Sequence, residues 1–240
     1  MPFGGYYRCM SDSSNLQFAP ATFPETATSF LLAGPAGQLE VVVDVSKPQL
    51  ARTGTAVLCH PHPMHGGTMH NKVVTMLERT LRESGIATVR FNFRGVGQSE
   101  GEYDNGYGEG ADLTAVVNWV RLVHPDDALW LAGFSFGSYI SIAHARQLGA
   151  AALISIAPPV SRWPFDSLAE PGCPWLIVQG EQDEVVDPQA VYDLVERLDD
   201  QPLLLRIPDT GHFFHRRLMD LRGGVRHAVR DWLPPLRAHG

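Results

Sequence analysis

Apolar positions follow two different spacings along the chain, and the two spacings alternate from about residue 27 onwards. Short continuous apolar runs are typical of buried strands, whereas apolar residues three or four positions apart indicate helices that bury one face. Strands are predicted at residues 30–33, 39–45, 56–60, 86–93, 128–134, 151–157, 175–179 and 203–207, and helices at about 69–84, 110–123, 136–148, 188–198 and 213–232. This alternation predicts an α/β fold, with a mostly parallel, doubly wound sheet of about eight strands and helices on both faces.

The first two predicted strands are an exception to the parallel pattern. They are separated only by Gly34-Pro35-Ala36-Gly37, a turn signal that predicts an antiparallel pair at one edge of the sheet. Before them, residues 1–26 mix Gly, Ser, Asp, Pro and Thr without a hydrophobic period, which predicts an irregular leader. We therefore expect a single domain over residues 27–240.

Composition and charge narrow the classes of function. The chain has 240 residues, of which 44% are hydrophobic and 19% charged, as in ordinary globular domains. Its formal net charge of −7 disfavours binding to nucleic acid or to anionic lipid surfaces. The longest apolar runs fall short of the ~20 residues that a membrane-spanning helix needs, and the N-terminal segment lacks the pattern of a secretory signal. Three widely spaced cysteines without a CxxC pair indicate reduced thiols and a cytoplasmic protein.

The pentapeptide Gly133-Phe134-Ser135-Phe136-Gly137 lies between a predicted strand and the helix that follows it. In this context G-x-S-x-G is typical of a nucleophile elbow, a tight turn that exposes the serine hydroxyl beside the unpaired N–H groups of a helix N-terminus. The alternative is that Ser135 only caps the helix. The elbow interpretation makes Ser135 a nucleophile, and it requires a general base and an orienting carboxylate elsewhere in the chain.

Both partners occur after later strands, in the chain order that such elbows use. Asp183 follows the predicted strand 175–179, and His212 follows the predicted strand 203–207. Because the carboxyl ends of parallel strands meet at one edge of a sheet, we predict that Asp183 orients His212 and that His212 is the base for Ser135. Three more carboxylates compete for the role of the acid, namely Glu181, Glu184 and Asp187. Asp187 directly precedes Pro188 and is better placed as a helix N-cap.

The segment Cys59-His60-Pro61-His62-Pro63 follows the third predicted strand, where a second backbone donor for an oxyanion is expected. Because the prolines have no N–H, His62 is the predicted donor, together with the N–H of Phe136. A metal site is the alternative interpretation, with the histidines of this region as ligands: His60, His62, His65 and His70. No carboxylate or thiolate pattern accompanies them, so we predict neither a metal nor an organic cofactor.

A further motif, Phe91-Asn92-Phe93-Arg94-Gly95-Val96-Gly97-Gln98-Ser99, follows a central strand. Together with the elbow and the His60-Pro61-His62-Pro63 segment, over about residues 28–235, it resembles the α/β-hydrolase superfamily. The resemblance is to small, lidless serine hydrolases of the dienelactone-hydrolase-like and Xaa-Pro-dipeptidyl-peptidase-like branches. Ser135 departs from the cysteine nucleophile of true dienelactone hydrolases, so that substrate is not implied. Arg94 is expected to hold its loop through an ion pair.

The resemblance implies the α/β-hydrolase fold and hydrolysis of a small-molecule carboxylic ester through an acyl-enzyme. Residues 158–174 lie where the superfamily often inserts a cap domain, and they are too few to form one. We therefore expect an open cleft with Trp163 and Phe165 on one wall, unless both pack as core edge, and a preference for short acyl chains. Two alternatives stay open. The substrate would be a thioester or a peptide bond, or the chain would be a non-catalytic binding protein on the same fold.

Overall fold

The computed structural model describes residues 17–238 of the chain, and the side chains of all of them except Gln17 and Asp166. The strands are β1 (Gln17–Phe18), β2 (Thr28–Gly34), β3 (Gly37–Asp44), β4 (Gly54–Cys59), β5 (Ala87–Phe91), β6 (Ala128–Phe134), β7 (Ala152–Ile156), β8 (Trp175–Gly180) and β9 (Leu203–Ile207). The α-helices are α1 (Lys72–Glu83), α2 (Tyr107–Val123), α3 (Phe136–Ala145), α4 (Pro188–Arg197) and α5 (Leu218–Ala228).

All of these strands belong to one sheet, in the order β1-β2-β3-β5-β4-β6-β7-β8-β9. β3 pairs antiparallel with both β2 and β5, and every other neighbouring pair is parallel. The predicted fold class is therefore confirmed, including the antiparallel pair near one edge. The two-residue β1 was not predicted, since the sequence analysis assigned this part of the chain to an irregular leader. Residues 1–16 of that leader lie outside the described residues.

The sheet buries apolar side chains on both faces because alternate residues of a strand point to opposite sides. In β4, Val57 and Cys59 join a core cluster that also contains apolar residues of α2, α3 and α4. Ala56 and Leu58, from the same strand, join the cluster formed with α1 and α5. Five helices thus cover the two faces, and the carboxyl ends of the parallel strands are left to the connecting loops.

The closing helix begins later than the sequence predicted. Residues 213–217 form turns instead of the first helical turns, because Phe214 and Arg216 adopt left-handed φ angles of 52° and 62°. A right-handed helix cannot include such residues. The predicted strand 86–93 is also shorter in the structure and ends at Phe91. Phe93 leaves the sheet to donate its N–H to the ring of His60, 3.0 Å away.

The link between β7 and β8 contains a single 3₁₀ turn, Phe165–Ser167, and no inserted helical layer. The fold therefore lacks a lid, as predicted. Within residues 17–238 no helix is both long enough and apolar enough to cross a membrane.

Candidate active site

Ser135 occupies a strained turn between β6 and α3. Its φ of 53° and ψ of −121° lie outside the regions that L-residues ordinarily adopt. The turn is possible because of two glycines. A Cβ on Gly133 would lie 2.2 Å from the carbonyl oxygen of Gly137, and a Cβ on Gly137 would lie 2.3 Å from that of Cys59. Ser135 makes no side-chain capping hydrogen bond to α3, so its hydroxyl is available for another partner.

That partner is His212. The Nε2 atom of His212 lies 3.1 Å from Ser135 Oγ, and its Nδ1 atom lies 2.8 Å from Asp183 Oδ2. Because an ionised carboxylate only accepts hydrogen bonds, Nδ1 carries the proton and the Nε2 lone pair faces the serine. The structure thus brings the three predicted residues into one line of hydrogen bonds, in the arrangement that a general base and its orienting acid require.

The Asp183 carboxylate is held from both sides. Its Oδ1 accepts the backbone N–H groups of Val185 at 2.9 Å and Val186 at 2.7 Å, which leaves Oδ2 turned towards His212. Burial by itself would raise the pKa of Asp183. The hydrogen bond and charge of His212, with the two backbone N–H groups, outweigh that effect and lower this pKa below its ordinary value. Asp183 is therefore ionised in the folded protein at neutral pH.

The three competing carboxylates have other partners. Asp187 accepts the N–H of Gln189 at 3.0 Å and caps α4, as the sequence analysis predicted. Glu181 forms an ion pair with Arg206 on the surface. The third, Glu184, accepts the backbone N–H of His212 at 3.0 Å and so fixes the histidine loop without touching the imidazole.

Two supporting residues were missed in the sequence. The first is Glu184, which was considered only as a rival acid. The second is Gln179, at the end of β8, which is fully buried and donates through Nε2 to Asp183 Oδ2 at 3.0 Å. The same oxygen accepts the proton of His212, so Gln179 helps to fix the carboxylate plane. A polar residue at the end of a buried strand is the one signal that could have identified it.

The side chains of the two residues predicted as oxyanion donors lie next to each other. The rings of His62 and Phe136 are 5.0 Å apart, and neither backbone N–H donates to another described residue. Their loop is tightly folded, because the His62 carbonyl accepts the N–H groups of His65 and Gly67, both at 3.1 Å. The His62 ring accepts the N–H of Met64 at 3.2 Å and faces a hydroxyl, that of Tyr103, at the same distance. Ser135 is partly buried, and unpaired backbone N–H groups of this kind can stabilise a developing oxyanion.

The other histidine of this motif, His60, has a structural role. Its Nδ1 donates to the carbonyl of Pro61 at 2.7 Å, and its Nε2 accepts the N–H of Phe93 at 3.0 Å. Burial lowers the pKa of His60 to about 4, against the opposing effect of the Pro61 hydrogen bond. Neither nitrogen is left for a metal. Among residues 17–238, no three His, Cys, Asp or Glu side chains are grouped closely enough to hold one.

The loop after β5 is held by a buried ion pair. Arg94 contacts both carboxylate oxygens of Asp112, with Nη2 2.8 Å from Oδ1 and Nε 3.0 Å from Oδ2. The backbone N–H of Arg94 donates to the same carboxylate at 3.0 Å. This residue therefore fixes the segment that leads to Tyr103, and it does not reach the serine.

Of the two aromatic residues predicted on the wall of the cleft, only Trp163 borders the site. Its ring is 5.1 Å from that of Phe136 and 6.3 Å from that of His62. Phe165 is 6% exposed and packs in the core, with its ring 5.5 Å from that of Tyr139. The prediction for Phe165 is corrected accordingly. Phe165 begins the short 3₁₀ turn and packs against Tyr139 of α3.

Comparison with known proteins identifies the family. The sequence model for the alpha/beta hydrolase domain matches residues 55–223, which include Ser135, Asp183 and His212. This chain belongs to the α/β-hydrolase family. Solved structures similar to this hydrolase include XC6422 from Xanthomonas campestris, described as a serine hydrolase without a lid. It is 54% identical, with a TM-score of 0.87 over 90% of this chain and 99% of that one.

Two further relatives extend the comparison. A serine hydrolase homologue from Coxiella burnetii is 49% identical, with a TM-score of 0.83 over 86% of this hydrolase and 99% of its own chain. An uncharacterized protein of Rickettsia prowazekii is 32% identical over 86% of this chain and 88% of its own length. These similarities extend over most of each relative and therefore concern the whole hydrolase domain.

The low pKa of His60 predicts a loss of stability in mild acid. The unfolded chain takes up the proton near pH 6.5 and the folded protein only near pH 4, so the free energy of unfolding falls as pH decreases between these values. The full effect is about 3 kcal/mol. Urea unfolding at several pH values should therefore show a shallower pH dependence for His60→Gln than for the wild type. His70→Gln, at an exposed histidine of the same segment, should behave like the wild type. Equal slopes in all three proteins would contradict the prediction.

Proposed function

We propose that this hydrolase cleaves short-chain carboxylic esters through an acyl-enzyme, with Ser135 as nucleophile, His212 as general base and acid, and Asp183 as the orienting carboxylate. The observation that carries the proposal is the line of hydrogen bonds from Asp183 through His212 to Ser135, at 2.8 and 3.1 Å. A serine hydroxyl is a weak nucleophile at neutral pH unless such a base removes its proton.

The proposed steps use only these groups and water. Ser135 Oγ bonds to the ester carbonyl carbon while its proton passes to His212 Nε2, and the carbonyl oxygen becomes an oxyanion. The backbone N–H groups of His62 and Phe136 stabilise that charge. The C–O bond then breaks, and the leaving alcohol takes the proton from His212. A water molecule attacks the acyl-enzyme in the same manner, which releases the carboxylic acid and restores the serine hydroxyl.

The proposed preference for short acyl chains is supported by the lack of a lid and by the position of Trp163. The link between β7 and β8 contains one 3₁₀ turn, and the Trp163 ring packs at 56° against the ring of Phe136, one of the two proposed oxyanion donors. An acyl chain bound at Ser135 would therefore not be enclosed by a lid. Thioesters pass through the same acyl-enzyme, and we expect them to be cleaved as a secondary substrate class.

Ser135→Ala should lower kcat for an aryl ester by about 10³-fold or more, because the residues of a triad act as a unit. Folding should be unchanged by circular dichroism. A fluorophosphonate probe should label the wild type and not the variant, since the probe reacts with an activated serine and not with a helix cap. Esterase activity that survives in a correctly folded variant would exclude the proposed nucleophile. An unlabelled, inactive wild type would instead favour a binding protein.

Asp183→Asn and Asp187→Asn form a matched pair for the acid. Asp183→Asn should lower kcat by orders of magnitude, because an amide does not hold His212 in the required tautomer. Asp187→Asn should leave kcat within about twofold and cost about 1 kcal/mol of stability or less, since asparagine also caps helices. Steady-state kinetics and urea unfolding measure the two effects. The reverse pattern would assign the acid to Asp187.

The acyl preference is tested with p-nitrophenyl esters of increasing chain length. We expect kcat/KM to peak at about two to four acyl carbons and then to level or fall, because further methylenes remain in water and contribute no transition-state binding. A steady rise of several-fold for every two carbons, out to ten carbons, would show that the wild-type site already binds long chains.

A further inference from the structure

A cavity of about 470 Å³ lies beside α3, the helix that follows Ser135. Its lining includes Tyr107, Tyr139, Ile140, Ala143, His144 and Trp163. Its volume lies in the range of ordinary small-molecule sites, and its walls are mostly apolar or aromatic. Nothing in the proposed reaction uses this cavity.

The cavity runs along the helix that begins at the nucleophile. Tyr139 and Ala143 follow Ser135 by four and eight residues, so they lie on the same face of α3, about 6 and 12 Å along its axis. The backbone N–H of Tyr139 is 3.3 Å from the carbonyl of Ser135. The near end of the cavity, at Tyr139, is therefore about one helical turn from the backbone of Ser135.

Trp163 lies at this near end. It lines the cavity, and its ring is 4.7 Å from Tyr139 on the cavity side and 5.1 Å from Phe136 on the side of the serine. The indole also packs close to Gly106, because a Cβ added to Gly106 would lie only 3.2 Å from Cζ3 of Trp163. One aromatic side chain thus fills the space between the proposed oxyanion loop and the cavity.

Resting on the proposed esterase function, we propose that Trp163 is the residue that limits acyl length, and that it does so by closing the path from Ser135 to this cavity. The cavity behind it is a latent subsite for an uncharged alkyl or aryl acyl group. Its polar lining supports this class of ligand. His144 donates through Nδ1 to the carbonyl of Ile140, which holds its ring in place. No lysine, arginine, aspartate or glutamate lines the cavity, so a charged ligand would find no oppositely charged partner there.

Trp163→Ala should connect the cavity to the serine and move the acyl optimum to longer chains. Burial of a methylene in an apolar wall is worth about fourfold in kcat/KM. The ratio of kcat/KM for p-nitrophenyl octanoate to kcat/KM for the butanoate should therefore be at least about tenfold higher in the variant than in the wild type. The value of kcat/KM for the acetate should change little. Trp163→Leu is the milder variant if the alanine variant does not fold, and it should produce a smaller shift in the same direction.

Refilling the cavity provides the sharpest control. Ala143 lines the cavity two turns from Ser135 and is half-buried, so Trp163→Ala/Ala143→Phe should restore the wild-type ratio of octanoate to butanoate. Leu122→Ala removes an exposed apolar side chain of α2 that is not part of the cavity lining, and it should leave the acyl profile unaltered.

A binding measurement separates this proposal from the proposed reaction. On a Ser135→Ala background, titration calorimetry should show that Trp163→Ala raises the affinity for p-nitrophenyl octanoate at least tenfold, with no comparable gain for the acetate, and that Ala143→Phe reverses the gain. Equal effects on both esters, or none, would overturn the role of Trp163 even if the wild type is an esterase. If the protein hydrolyses no ester but its binding still depends on chain length in this way, the proposed role of Trp163 is supported and the proposed esterase reaction is excluded.

Discussion

The candidate site depends on three backbone segments that meet with no side chain between them. β6 turns into α3 at Ser135, where a Cβ on Gly133 would meet the backbone at the start of α3 and a Cβ on Gly137 would meet the backbone at the end of β4. This contact holds the serine at a φ of 53°, a conformation that costs on the order of 1–3 kcal/mol. Two consequences follow from the same geometry. The hydroxyl leaves the helix and faces His212, and the backbone at the end of β4, which leads to the proposed oxyanion donor His62, lies against the first turn of α3.

The order of the strands brings the remaining groups to this turn. β4, β6, β8 and β9 all run parallel, so their carboxyl ends lie at one edge of the sheet although they are far apart in the sequence. Each end is then fixed by buried polar contacts. His60 joins β4 to the segment after β5, Gln179 and two backbone N–H groups hold Asp183, and Glu184 holds the backbone of His212. A buried polar group without a partner is costly, so these contacts define one arrangement of the loops.

The difference between strand ends, which the sequence marks, and tertiary hydrogen bonds, which it does not, explains which features of the site were predictable. Ser135, Asp183 and His212 were predictable because each follows a strand whose apolar run is easy to recognise, and strand ends of a parallel sheet converge. The choice among four acidic residues was harder, and the structure distinguishes them by local hydrogen bonds: Asp183 accepts N–H groups two and three residues ahead, and Asp187 caps α4. Glu184 and Gln179 were missed because their partners are set by tertiary structure. The late start of α5 was missed because no sequence pattern marks Phe214 and Arg216 as left-handed.

The two parts of the site differ in what holds them. The reacting groups rest on strand ends and on buried hydrogen bonds, so a change there disturbs the fold and the chemistry together. The Trp163 side chain belongs to a short link without a lid and is placed by packing, mainly against the rings of Tyr139 and Phe136. Ring contacts are less directional than hydrogen bonds, so a smaller side chain at position 163 would remove packing without breaking the hydrogen bonds that join Ser135, His212 and Asp183. If the proposed reaction takes place, we therefore expect the size of the accepted acyl group to change through this one half-buried side chain while the geometry of the three residues is preserved.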